Sequence, residues 1–185
     1  MKRVVLTFGL IAGGVLAAMM MITAPFMDQI GFERGAVIGY TTMVLAFLMI
    51  YFGIRSYRDN VGGGTITFGR ALSVGALITL VATVCYIATW ELVYYKIRPD
   101  FGDKYVAYEV EKARKSGATP AEVEAKAREL AAFKEAYKNP LINAAYTFLE
   151  PLPAGLLLTL ISAAVLRRKT AVVARAAMTP LRSNG

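Results

Sequence analysis

Between Arg70 and Glu91 the chain runs through Ala71–Trp90, ALSVGALITLVATVCYIATW, without one charged side chain. A helix needs about 20 apolar residues to cross ~30 Å of hydrocarbon, so this run has the length of a membrane span. Arg70 precedes it, and Trp90, Tyr94 and Tyr95 close it, the residue types that meet the two headgroup layers. Composition agrees. In 185 residues, 56% are hydrophobic, too many for an ordinary soluble domain.

Three more runs share this character. Val4–Phe26 follows the cations Lys2 and Arg3. A secretory leader also starts so, but its apolar core spans only about 7–15 residues, and the best cleavage point, after Ala24, has Ile22 at −3 and Pro25 next. A retained span is the expectation. Gly9, Gly13 and Ala17 leave one face small enough for close helix packing, and Gly35 and Gly39 repeat that interval in the second run, Gly35–Ile54. Gly62, Gly63 and Gly64 mark a turn, not a phosphate loop, because the Gly-Lys-Ser/Thr ending is missing. Thr67 is placed to cap the third span. The last run, Leu141–Leu166, is interrupted by Glu150-Pro151-Leu152-Pro153, where each proline withholds a donor and clashes with the carbonyl four residues back. A kink or break is predicted there.

The segment Lys96–Leu141 differs in kind. Asp103–Lys115 reads as a helix stopped at Gly117. Thr119, Pro120 and Glu122 then spell a capping box with proline at the first helical position. Val123, Ala127, Leu130, Phe133 and Tyr137 recur at helical spacing until Asn139-Pro140 ends the pattern. The expected fold is an all-α, four-helix membrane bundle with spans at about 4–26, 35–54, 71–93 and 143–166. An amphipathic helical hairpin, 97–140, forms a small cap between spans three and four. These make one domain, 1–169, followed by a basic tail, 170–185, expected to be disordered.

The net charge of +8 would suggest nucleic acid on a soluble surface, but here the basic residues flank apolar runs and fit headgroups better. There is no histidine, which removes the commonest general base and metal ligand. The single cysteine, Cys85, lies mid-span, so neither a disulfide nor a cysteine metal cluster is expected. Met1–Arg3, the Arg55–Arg70 loop and the Arg167–Arg182 tail are basic, whereas the turn Asp28–Arg34 is not. The positive-inside rule then puts both termini in the cytoplasm and the hairpin outside, although the hairpin's ten Lys and Arg argue the other way.

Two carboxylates, Glu91 and Glu150, interrupt apolar context, and ionisable groups at membrane depth are candidates for function. Asn143, Thr147 and Glu150 share one helical face by their i, i+4, i+7 spacing. One reading is a shared site in which both carboxylates hold a proton or cation, with Asn143 and Thr147 as further ligands. The other is structural: each glutamate reaches headgroup water or pairs with Lys96, Arg98 or a hairpin cation. Arg55, Arg58 and Arg70 are candidate headgroup or charge contacts.

Several strings in order strengthen the membrane reading: IGYTTMVLAFLMIYFGIRSYRDN at 38–60, ITFGRAL at 66–72, WELVYY at 90–95 and PDFGDKY at 99–105, then SGATPAEVE at 116–124, FKEAYKNPL at 133–141 and FLEPLPAGLLLTLISAAVLRRK at 148–169. Together they resemble a bacterial membrane family catalogued only as a domain of unknown function (number forty-one ninety-nine), over about residues 4–169. The resemblance implies a four-span inner-membrane protein with a helical segment between spans three and four. It transfers no reaction or cofactor, and points to Arg55, Arg58, Glu91, Asn139, Pro140 and Glu150 as motif positions. The expected role is a non-enzymatic accessory or structural component. The expected partners are the bilayer and a second membrane protein or another copy of the chain; nucleic acid, metal and cofactors are not expected. The competing readings are a small proton- or cation-linked carrier using Glu91 and Glu150, as an oligomer, and a lipid-directed enzyme, for which a glutamate pair is the remaining route.

Overall fold

The computed structural model describes residues 1–168, so the expected disordered tail at 170–185 lies outside the described residues. Four helical segments are long and apolar enough to cross a membrane: Lys2–Ile30, Phe32–Asn60, Phe68–Ile97 and Pro140–Leu166. Each outruns the apolar core read from the sequence, because charged residues such as Arg55 continue a helix beyond its apolar core without ending it.

Helix α1, Lys2–Thr23, continues through a tight turn at Ala24–Phe26 into the short α2, Met27–Ile30. Gly31, at φ 77°, then reverses the chain, a backbone angle that favours glycine. Helix α3, Phe32–Asn60, returns across the bundle, and α4, Phe68–Leu92, starts where the Thr67 side chain accepts from Arg70 N–H. After Leu92 the helix widens into a π-helical turn, Val93–Ile97. The sequence carries no signal for this turn. It re-aims Tyr94 and Tyr95 at the end of the span.

The hairpin forms as the caps predict. Helix α5 is Phe101–Lys115 and α6 is Pro120–Tyr137, with both reciprocal bonds of the Thr119–Glu122 capping box present. The bond from Thr119 N–H to Glu122 holds that carboxyl below the usual glutamate range. Asn139 caps α7, Pro140–Leu149, and the prolines divide the fourth span before α8, Leu152–Leu166. The two halves part company: α8 packs on α3 and α4, whereas α7 packs on α4 and α6.

Packing density is therefore uneven along the bundle. Near the end that carries residues 66 and 168, joined by a backbone pair of 3.2 and 3.0 Å, the core is tight. Met43, Phe47, Ile50 and Ile54 of α3 meet Val74 and Ile78 of α4 there, with Ala163 and Leu166 of α8. Close approach depends on small residues. A Cβ on Gly9 would lie 2.6 Å from Val81 Cβ, and one on Gly75 would lie 2.5 Å from Thr159 Cγ2. Gly35 and Gly39 behave differently from their spacing, since nothing stands within 4 Å of a Cβ at either. They face open space because α7, beyond the proline break, does not follow α8 along α3.

Candidate functional site

Above the tight core, the hairpin end of the bundle holds a partly open cavity of about 780 Å³. Its floor and walls come from Leu16–Met27 of α1 and α2, Phe32–Thr42 of α3, Tyr86–Tyr94 of α4, and Tyr146 and Glu150 at the end of the fourth span. The hairpin supplies the roof through Phe101, Tyr105, Leu130, Phe133 and Tyr137. Aromatic edge-to-face contacts fasten roof to walls: Trp90 to Phe101 at 4.9 Å, Tyr94 to Tyr137 at 5.3 Å, and Phe32 to Phe101 at 5.6 Å. The Trp90 indole N–H also donates to the Tyr137 hydroxyl at 3.0 Å. Aromatics that the sequence suited to headgroups thus hold the cap.

The cavity contains only one of the two candidate carboxylates. Glu150, at the break between α7 and α8, lines it, and the Tyr86 hydroxyl donates to Glu150 Oε2 at 2.8 Å. Glu91 lies outside the lining. It sits five residues beyond Tyr86 on α4, roughly 140° round the helix and ~7.5 Å along it. Its Oε1 is buried without a hydrogen-bond partner among the described residues.

Asn143 and Thr147 make no hydrogen bond to either carboxylate among the described residues. Both are buried on α7. A polar thread runs from Trp90 N–H to the Tyr137 hydroxyl, then to Thr147 Oγ1 at 3.3 Å, which donates to Asn143 Oδ1 at 3.2 Å. It ends on Asn143 Nδ2, an unpaired buried donor. Tyr95, one turn beyond Glu91, has both Glu91 and Asn143 for neighbours and donates to the Lys138 carbonyl at 3.0 Å. The four residues of the expected polar site fall into two places: Glu150 in the cavity lining, and Glu91, Asn143 and Thr147 outside it.

Neither glutamate forms an ion pair among the described residues. Arg98, one of the expected partners, is instead buried beside the start of α2, where Nη1 donates to the Ala24 carbonyl at 3.1 Å and Nη2 to Asp28 at 2.6 Å. Its Nε donates to Asp100 at 3.2 Å, and Lys104 joins both aspartates. Lys104 and then Arg98 hold the Asp100 carboxyl down at about 2. This clamp ties the α1–α3 connection to the base of the hairpin. The sequence shows only a scatter of charges there, since the partners lie 74 and 70 positions apart.

Among the arginines named from sequence, Arg58 is buried and donates to the half-exposed Asp59 at 2.7 Å, a charge contact. Arg55 is about half exposed and 3.7 Å from the same aspartate. Arg70 is exposed at the start of α4. Cys85 packs where a Cβ on Gly13 would strike it. No group of three or more metal-ligating side chains occurs among the described residues.

A family model described as Protein of unknown function (DUF4199) matches residues 7–168. No curated protein matches the chain, and no solved structure does.

Proposed function

We propose that this chain, which belongs to the DUF4199 family, is a non-enzymatic accessory or structural component of the bacterial inner membrane. The observation that supports this reading is that the cavity is lined by one of the two carboxylates: Glu150 lines it on Tyr86, and Glu91 does not. A carrier built on the two would need them to share one ion. A lipid-directed enzyme would need them as an acid–base pair across one reacting bond. Gly9 and Gly13 are occupied inside the bundle by α4, which leaves the hairpin and the open side of α3 at Gly35 and Gly39 for association with a second membrane protein or another copy.

The test is ion flux. In sealed vesicles holding the purified protein, an imposed proton or sodium gradient decays no faster than in empty vesicles, and Glu91→Gln and Glu150→Gln change nothing. Flux that disappears in either variant, at equal protein level, overturns the accessory role. The carrier remains the second reading because Glu91 Oε1 and Asn143 Nδ2 are buried without partners, a feature suited to a proton or small ion.

Both termini in the cytoplasm and the hairpin outside is the orientation the basic flanks support. A cysteine at Ser116, in the hairpin turn, should react with a membrane-impermeant maleimide in cells whose inner membrane is intact. Labelling only after lysis reverses the topology.

A further inference from the structure

We propose that the roofed cavity is a binding site for a lipophilic organic cation, with the Glu150 carboxylate as counter-ion and aromatic rings as walls. Its volume of about 780 Å³ is that of a site for a drug-sized molecule. The lining is dominated by aromatic and methionine side chains, and the faces of Tyr86, Trp90, Tyr137 and Tyr146 attract positive charge.

The charges decide the sign of the ligand. Around the rim, Lys112 lies 3.6 Å from Glu33, whose carboxylate also accepts from Tyr108 at 3.0 Å. Lys134 is held by Asp103 at 2.7 Å. Both lining lysines are thus engaged by carboxylates. Glu150 has only the neutral Tyr86 hydroxyl, and Glu109 adds a further acid to the lining. An anion would meet a carboxylate with no cation beside it, whereas a cation gives that carboxylate the charge partner the described residues do not supply. A cation with apolar substituents satisfies both the charge and the walls.

The access is built by the same break that positions Glu150. Because α7 leaves α3, the small residues Gly35, Ala36 and Gly39 face space, and Tyr40 and Tyr146 at the lining are 55% and 51% exposed. Lining residues exposed to this degree give a ligand partitioned into the bilayer a way to reach the cavity.

Trp90 is the sole tryptophan of the chain and lines the cavity, so its fluorescence reports occupancy. The full-length protein in lipid nanodiscs is titrated with tetraphenylphosphonium, with tetraphenylborate of the same shape and opposite charge, and with neutral triphenylphosphine oxide. The expected result is a saturable change with tetraphenylphosphonium alone, weakened at least tenfold in Glu150→Gln. Gly39→Leu, which fills the space without touching the carboxylate, abolishes the change even if Glu150→Gln folds poorly. No saturation, equal binding of the neutral or anionic probe, or undiminished binding in Gly39→Leu overturns the proposal. It goes beyond the accessory role: failed binding leaves that role standing, and ion flux lost in a glutamate variant leaves the binding standing.

Discussion

Gly13→Leu destabilises the bundle by about 3 kcal/mol, whereas Gly14→Leu next to it is close to neutral. A Cβ at Gly13 would lie 2.6 Å from Cys85 Cβ, 2.8 Å from its sulfur and 3.3 Å from Ala82 Cα, so α1 and α4 must separate to admit even the first carbon. The cost is large because lipid offers no hydrophobic gain to offset lost contacts, and close packing is the main force holding spans together. At Gly14 nothing stands within 4 Å of the added carbon, and the new side chain meets lipid. Denaturant titration in mixed micelles, followed by circular dichroism, compares the two. Equal losses would mean that the α1–α4 interface is not where the bundle is tight.

Arg98→Leu is the second large effect, a loss of about 2 kcal/mol concentrated at the hairpin end. The guanidinium is buried and makes bonds to the Ala24 carbonyl, Asp28 and Asp100. Removing it takes from the Ala24 carbonyl its second donor, leaving only Met27 N–H, and strips both aspartates of their guanidinium partner. The aspartates can be rehydrated, which keeps the loss below that of a fully enclosed pair. Hydrogen exchange should show α2 and the start of α5 opening while the Phe47–Ile78 core stays protected. The clamp is also acid-sensitive. Asp100 titrates at about 2 in the folded protein, below its ordinary 3.8, so its contribution is full above pH ~4 and disappears as pH falls towards 2. The Arg98→Leu and Lys104→Met variants flatten that acid limb. A limb of unchanged depth in both would remove Asp100 from the account.

Local rules carried much of the architecture. Four apolar runs became four helices long and apolar enough to cross a membrane, Thr67 and Thr119 became caps, and Pro151 and Pro153 broke the last of the four. Each of these depends on neighbours within a few residues, which is what a linear pattern records. The candidate site was legible in part. Glu150 was visible as a carboxylate beside a proline break, but its partner Tyr86 lies 64 positions away, inside the third apolar run.

Two glycine pairs with the same spacing show where sequence stops. Gly9 and Gly13 receive α4, while Gly35 and Gly39 face a cavity, and nothing within either helix distinguishes them. The difference arises in α7, which the prolines turn away from α3 more than a hundred positions later in the chain. Likewise, Glu91 and Glu150 are equivalent as intramembrane acids until packing puts one against Tyr86 in the cavity and the other outside it. The sequence by itself determined the membrane medium, the four spans, the hairpin and the position of the break, because hydrophobic length, capping and proline geometry act over one or two helical turns. Tertiary structure alone decided the tight half and the open half of the bundle, the Arg98 clamp and the partition of the acids, because each depends on which helix faces which, and the segments that meet lie tens of residues apart.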